Sequence, residues 1–264
     1  MLILALETSS QAGSVALLEC RDPAPPGHWE GDAPSEPQVR LDASASASCA
    51  NVLSQRLLAA DQRSAQTLTP AMAEVLADAG RKAGDVELVA VTVGPGSFTG
   101  LRVGVTAAKT FAYATGCQCL GVDTLEVIAE QASGQPSASG EVHAVLDAQR
   151  KELFLARFRW QEGALVRLED NRIVPVESWL AGLAPGTVVT GGGIDRLIDR
   201  LPPGAIAVPP HLGQPQAIMV GKLAWRQFQA GRRDDLWKLA PQYLRPSAAE
   251  EKVGQASRLP RLSR

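Results

Sequence analysis

The sequence predicts an α/β protein of two lobes that face one another across a cleft. Three observations predict it. Continuous apolar runs such as "LILALE" and "VELVAVTVG" suit strands buried on both faces. Segments with apolar residues at helical spacing follow them, joined by turns rich in glycine and serine. The order strand hairpin, helix, strand, glycine turn, helix then occurs a second time, without repetition of the residues themselves. On this division the first lobe is residues 1–135, with an insertion at about 21–61. The second is 136–246, its last helix free to pack back on the first lobe, and 247–264 are a tail.

Each element has its own signal. "MLILALETSS" is too short and lacks the basic start of a signal peptide, so it reads as a first strand. "SVALLEC" is its antiparallel partner after the turn "TSSQAG". The Pro-, Ala- and Ser-rich insertion reads as a mobile surface loop. Within it Val39 and Leu41 mark a short third strand, and "NVLSQRLLAA" a turn or two of helix. Leu68, Met72, Val75, Leu76 and Ala79 share one helical face, and Gly80 caps that helix. "VELVAVTVG" is a buried strand that runs into "GPGSFTGLRVG" and a helix over about 98–115. "CLGVDTLEVIAEQ" is a strand and then a helix with Asp123 or Thr124 as N-cap. "ASGQPSASGE" links the lobes. In the second lobe "VHAVLDAQRKELFLARFRW" is a hairpin and "VPVESWLAGL" a short helix. "GTVVTGGGIDRLIDRL" is strand, glycine turn and helix, and "AIMVGKLAWRQFQAG" a final long helix. The closing "RLPRLSR" is basic and frayed.

Composition narrows the function. A formal net charge of −2 gives no electrostatic reason for the chain alone to bind nucleic acid. Cys20, Cys49, Cys117 and Cys119 form no CxxC pair, which fits free thiols and a cytoplasmic location. No apolar run reaches the length of a membrane span.

The glycine turns raise the question of phosphate. "GPGSFTG", with Gly94, Gly96 and Ser97, stands between a buried strand and a helix start, a place that favours anions. Its glycine spacing matches neither the Walker nor the Rossmann pattern. Thr8, Ser9 and Ser10 follow Glu7 where two-lobed ATP-binding folds commonly hold Asp and hydroxyls for metal and phosphate; a plain polar turn is the other reading. Gly191, Gly192 and Gly193 form a matching turn in the second lobe. His28, His143 and His211 are too far apart for HxxxH or HExxH spacing, and no GxSxG elbow is present, so metallopeptidase and serine-hydrolase chemistry are poorly supplied. Asp147, Arg150 and Glu152 form a charged turn, either a surface hairpin or a partner contact. The helix after "GPGSFTG" is apolar around most of its circumference: Leu101, Val105, Ala108 and Ala112 on one stripe, Val103, Ala107, Phe111 and Ala114 on another. Arg102, Thr106, Lys109 and Tyr113 make its polar stripe. Such a helix is deeply buried or covered by a partner.

"LILALETSSQAGSVALLE", "VTVGPGSFTGLRVGVTAAKTFA", "GVDTLEVIA", "VLDAQRKELFLARF" and "APQYLRP" occur in this order. Together they resemble the bacterial TsaB (YeaZ) family from residue 1 to about 246, apart from the insertion. The resemblance implies a two-lobed actin/sugar-kinase-like ATPase fold of duplicated βββαβαβα lobes. It implies a non-catalytic scaffold subunit of the machinery that makes threonylcarbamoyladenosine in tRNA. Such a subunit pairs with the catalytic TsaD, helps recruit the ATPase TsaE and in some members self-associates; tRNA is met through the complex. No cofactor is implied for the isolated chain, ATP and a metal ion belonging to the partner subunits, and none of its residues is implied to be a metal ligand. The family's interface helices fall on about 64–80 and 98–115. This makes Leu68, Met72, Val75, Leu101, Arg102, Val105, Ala108, Lys109 and Phe111 the expected partner interface, and the three turns vestigial phosphate loops. The family usually has His where Ser64 stands and Asp where Glu7 stands. A small-molecule kinase or acyltransferase of the same fold is the alternative, and a metallopeptidase a more remote one.

Overall fold

The computed structural model describes residues 1–21, 49–59, 64–132, 140–161 and 164–245. The first lobe contains β1 (Leu2–Glu7), β2 (Ser14–Arg21), β3 (Cys49–Leu57), α1 (Ser64–Asp78), β4 (Leu88–Gly94), α2 (Phe98–Thr115), β5 (Gln118–Asp123) and α3 (Thr124–Gln131). The second contains β6 (Glu141–Asp147), β7 (Glu152–Gln161), β8 (Ala164–Pro175), α4 (Val176–Ala181), β9 (Val188–Thr190), β10 (Ile206–Ala207) and α5 (Ala217–Gln229). Each lobe has a five-stranded sheet, in the orders β3-β2-β1-β4-β5 and β8-β7-β6-β9-β10. These orders correspond strand for strand, and so do the directions: two antiparallel ladders, then two parallel ones. The fold is the expected two-lobed α/β architecture.

β1 shows why the apolar runs are continuous. All six of its residues are buried. Leu2, Leu4 and Leu6 enter a core with α1 and α2, while Ile3 and Ala5 enter a second core with α5. Each fully buried leucine contributes about 1.5–3 kcal/mol of burial. The final helix of each lobe lies on the other lobe's sheet. Leu125, Ile128 and Ala129 of α3 pack with Val142, Ala144 and Phe158 of the second sheet. Val220, Leu223 and Ala224 of α5 pack with Ile3, Ala16 and Leu18 of the first.

Two expectations need correction, and one strand is new. The segment "NVLSQRLLAA" is not helical through Leu57: β3 pairs antiparallel with β2 from Ser14↔Leu57 to Arg21↔Cys49. Its apolar spacing resembles a helical turn, but the open edge of β2 supplies a full ladder of hydrogen bonds and wins. After Gly193 the sequence "IDRLIDR" forms two 3₁₀ turns, Ile194–Arg196 and Ile198–Arg200, not an α-helix; Ile194 and Leu197 pack into the second lobe, and Pro202 and Pro203 prevent extension. β8 is a twelve-residue strand that hydropathy does not reveal, because charged residues such as Arg167, Glu169 and Arg172 interrupt its apolar ones. Val39, Leu41, the linker residues 133–139 and the tail lie outside the described residues. No helix among the described residues is long and apolar enough to cross a membrane.

Candidate functional site

The turn after β1 and the glycine loop before α2 are built against each other. Ser97 caps α2, its hydroxyl accepting from the Gly100 N–H, and its own N–H donates to the Ser9 carbonyl at 2.7 Å. Gly100 and Gly104 bring α2 onto Thr8. A Cβ at Gly100 would lie 2.0 Å from the Thr8 carbonyl oxygen, and one at Gly104 2.1 Å from Thr8 Oγ1. No side chain fits at either position. The glycines of "GPGSFTGLRVG" therefore seat a helix on the protein's own first turn.

Glu7 is fully buried at the start of that turn. Its Oε1 accepts from the Ser9 N–H at 2.6 Å, from the Ser9 hydroxyl and from the Ser10 N–H at 3.2 Å; its Oε2 accepts from the Ser10 hydroxyl at 2.8 Å. Burial pushes the Glu7 carboxyl above the ordinary range, against the lowering effect of these four donors. Thr8 Oγ1 is buried without a hydrogen-bond partner beneath α2. This turn does not fit a metal–phosphate group: the carboxylate is saturated by its own serines, and the threonine hydroxyl is shut in. Among the described residues no group of three or more His, Cys, Asp or Glu side chains is placed to hold a metal ion.

Between the lobes lies a cleft of about 1090 Å³. Ser9, Ser10, Gly96 and Ser97 line its first-lobe wall, and Gly192 and Gly193 its second. So six of the nine expected loop residues meet at one cavity, whereas Thr8, Gly94 and Gly191 lie beneath it, Gly191 against the Val145 backbone. Asp147 to Arg150 of the charged turn close one side. Gln149, Arg150 and Lys151 there all have left-handed backbone, with φ of 63°, 56° and 61°.

The structure sorts the nine helix residues expected at a partner interface. Leu68, Met72, Val75, Leu101, Val105 and Ala108 are each 6% exposed or less and belong to this chain's own core. Leu68, Met72, Val75, Val105 and Ala108 pack on one another between α1, α2 and the sheet. Phe111 is half-buried against the same core. Arg102 and Lys109 are held by a segment that sequence patterning did not single out, the strap of residues 231–245 after α5. Arg102 donates from Nε to the Tyr243 hydroxyl at 2.9 Å and lies over the Phe98 ring, which stacks on Tyr243. Lys109 Nζ donates to the carbonyls of Trp237 and Leu239 at 3.2 and 2.9 Å. Gln242 N–H donates to the Val93 carbonyl at 2.7 Å, and Arg245 reaches the second lobe at the Ala148 carbonyl and Glu152. The face that stays open carries small residues: Thr69, Ala73 and Ala77 on α1, and Thr99, Thr106, Thr110 and Ala114 on α2. Hydrophobicity pointed sequence reasoning to the buried stripe; the small exposed stripe gives no such signal.

Comparison with known proteins places this geometry. The family model described as TsaD, tRNA N6-adenosine threonylcarbamoyltransferase, matches residues 57–251. The Bacillus subtilis protein named as the tRNA threonylcarbamoyladenosine biosynthesis protein TsaB is 32% identical over 111 residues, 42% of this chain and 47% of that one. The Escherichia coli protein of the same name is 26% identical over 258 residues, 96% and 98% of the two chains. A solved Pseudomonas aeruginosa protein, described as similar to the peptidase YeaZ, superposes with a TM-score of 0.66 at 25% identity, covering 92% of this chain and 99% of that one. The matched region spans about half the length of the mycobacterial and Bacillus relatives. With a family match over most of its length and the same fold from end to end, the chain belongs to the TsaD family, in its TsaB (YeaZ) branch.

Proposed function

We propose that this chain is a non-catalytic scaffold subunit in the formation of threonylcarbamoyladenosine in tRNA. It pairs with a TsaD-type transferase and helps recruit a TsaE-type ATPase, and ATP and a metal ion bind in those partners. The observation that carries the scaffold reading is the saturated first turn: Glu7 is closed by Ser9 and Ser10, and α2 is seated on Thr8. Glu7, Ser9 and Ser10 are committed to one another, and Thr8 to seating α2. The open small-residue face of α1 and α2 supports pairing, since small side chains let another helix approach closely.

Two measurements test this. The full chain, mixed with the TsaD-type subunit of its own organism, should co-elute as one complex, and depletion of the chain should lower threonylcarbamoyladenosine in total tRNA by nucleoside mass spectrometry. Normal nucleoside levels after depletion would overturn the reading. The size of the interlobe cleft favours a second reading, a kinase or acyltransferase. Titration of Mg-ATP into the isolated chain separates the two: saturable heat at one site per chain supports the enzyme, and its absence supports the scaffold.

A further inference from the structure

The strap is anchored on both lobes. On the first lobe it is seated on the glycine loop. The Gln242 N–H donates to the Val93 carbonyl at 2.7 Å, and a Cβ at Gly94 would lie 2.8 Å from the Gln242 carbonyl oxygen. The Tyr243 ring stacks on Phe98 with centroids 4.6 Å apart, and its hydroxyl accepts from Arg102. Lys109 holds the strap further back, at the Trp237 and Leu239 carbonyls. On the second lobe the anchorage is Arg245, which donates to the Ala148 carbonyl at 2.6 Å and pairs with Glu152. Gln242, Tyr243, Leu244 and Arg245 line the cleft between the lobes, as do Phe98 and Ala148, so this contact crosses it.

The turn that Arg245 grips has an uncommon backbone. Ala148 and Glu152 bracket Gln149, Arg150 and Lys151, all three left-handed. Within the turn the Ala148 N–H donates to the Glu152 carbonyl and the Glu152 N–H to the Gln149 carbonyl, both at 3.0 Å. The Gln149 N–H donates to Asp147 Oδ1 at 2.7 Å. Residues with side chains hold such a backbone only where their surroundings over-determine it. Arg245 supplies part of that support from the other lobe. Its planar guanidinium takes the carbonyl at one end of the turn and the carboxylate at the other.

Other contacts join the lobes without the strap. Gln131 pins the crossing from the second lobe into α5: its Nε2 donates to the Leu212 and Gln214 carbonyls at 3.0 and 2.7 Å, and its Oε1 accepts from the Gln216 N–H at 2.9 Å. Arg167 of β8 pairs with Asp123 at 3.1 Å, and α3 and α5 each pack on the other lobe's sheet. Packed helices at a pinned crossing, with a polar tie across the cleft, make a hinge with a catch.

We propose that residues 242–245 are a latch on the interlobe cleft. With Arg245 on Ala148 and Glu152 the cleft is held at one width. When Arg245 lets go, the turn 149–151 relaxes and the second lobe swings about the crossing at Gln131, which opens the cleft to solutes. The same strap grips α2 through Arg102 and Lys109, so a displacement of α2 reaches the cleft through the latch. The device does not depend on whether the chain is a scaffold or an enzyme.

Cleft width is measured by double electron–electron resonance in the full chain, with Cys20, Cys49, Cys117 and Cys119 changed to alanine. Nitroxides go on Gln11→Cys and Asp195→Cys, exposed positions on the two walls. The parent should give one narrow distance distribution. Arg245→Ala should broaden it and lengthen its mean by more than about 2 Å. Glu152→Gln, which leaves the Ala148 bond in place, should do so less, and Arg245→Lys should fall between Arg245→Ala and the parent. Circular dichroism should stay native, since α3 and α5 still join the lobes. Small-angle scattering of Arg245→Ala with the native cysteines retained should show a larger radius of gyration. An unchanged distance in Arg245→Ala while amide exchange at 241–245 rises would mean that the freed strap holds nothing, and the latch falls. It falls equally if the parent distribution is already as broad. If Arg245→Ala does not fold, Glu152→Gln decides: widening supports the latch, and the parent distance overturns it.

Discussion

Glu7 holds its turn through donors alone, so its charge is not required by the geometry. Burial raises its folded-state pKa above the unfolded 4.5. Such a group contributes stability that is fully present below the unfolded value and is lost as pH rises through the folded one. Glu7→Gln keeps Oε1 as acceptor, and the new amide N–H can donate to Ser10 Oγ, whose hydroxyl turns. The variant should therefore gain stability over wild type as pH rises above the unfolded 4.5, until the folded carboxyl has ionised, measured by urea midpoints; a constant difference would show that Glu7 is not held in the way described. His143 behaves in the opposite sense. It is buried, accepts from Trp179 Nε1 at Nδ1 (3.2 Å) and meets Glu141 through Nε2 (3.0 Å). Burial lowers its folded pKa below 6.5, although Glu141 opposes the shift. Its contribution is present above the unfolded value and falls away as pH drops through the folded one, and protonation also removes the acceptor that Trp179 uses. His143→Gln should flatten the loss of stability below pH 6.5. At Gly100, alanine would drive a Cβ into the Thr8 carbonyl and should cost on the order of 3 kcal/mol. Gly84→Ala, with nothing within 4 Å, should be nearly neutral in the same denaturant series.

At the scale of elements, α2 is enclosed on three sides by its own chain: the sheet, α1 and the strap. A charge at Ala108 therefore probes the core and not a partner. Ala108→Asp should unfold the first lobe, whereas Thr106→Arg should leave the melting temperature unchanged. The strap is tied at its far end by Arg245, whose guanidinium donates to the Ala148 carbonyl at 2.6 Å and pairs with Glu152. That carbonyl opens the turn of three left-handed residues, so Arg245 steadies a backbone that costs roughly 1–3 kcal/mol at each such position. Arg245→Ala should speed amide exchange at 148–152 and 241–245 together; faster exchange in only one of the two segments would show that they are not tied. The elements legible in sequence were those with a period. α1, α2, β1 and β4 each bury a stripe or both faces, and hydropathy finds them. The strap has no period: its order comes from Tyr243, Asp234 and Arg245 reaching residues far away in sequence. β3 reads as a helical turn because its nine residues mix apolar and polar side chains without strict alternation, and the sheet edge that pairs with them is not visible in sequence. The glycine loop reads as a helix start, but the Thr8 carbonyl and side chain that explain Gly100 and Gly104 lie ninety-odd positions earlier in the chain, and no local rule connects them.

For the molecule as a whole, the exchanged helices decide how far the two lobes are independent. The repeated order of elements was legible because each half carries its own hairpin and glycine turn. The exchange was not, since it depends on contacts such as the Ala217 N–H to Ser14 Oγ at 2.9 Å, 203 positions apart. α5 covers Ile3, Ala5, Ala16 and Leu18 of the first sheet, with Gly221 so close that a Cβ would meet the Leu18 side chain at 2.6 Å. α3 covers Val142, Ala144 and Phe158 of the second sheet. Cutting the chain between the lobes leaves each sheet with one whole face uncovered, and an uncovered apolar face of that size is not compatible with a monomeric folded lobe. Residues 1–135 expressed alone should therefore aggregate or bind a hydrophobic dye, and the full chain should melt in one transition whose calorimetric and van't Hoff enthalpies agree. Mixing the two fragments should restore native circular dichroism if α3 and α5 carry the joint. Two separated transitions in the intact chain, or a monomeric first lobe with native spectra, would mean that the sheets are stable without each other's helices. The polar ties across the cleft, Arg245 to Ala148 and Glu152 and Arg167 to Asp123, would then hold the lobes together, and Arg245→Ala should loosen them.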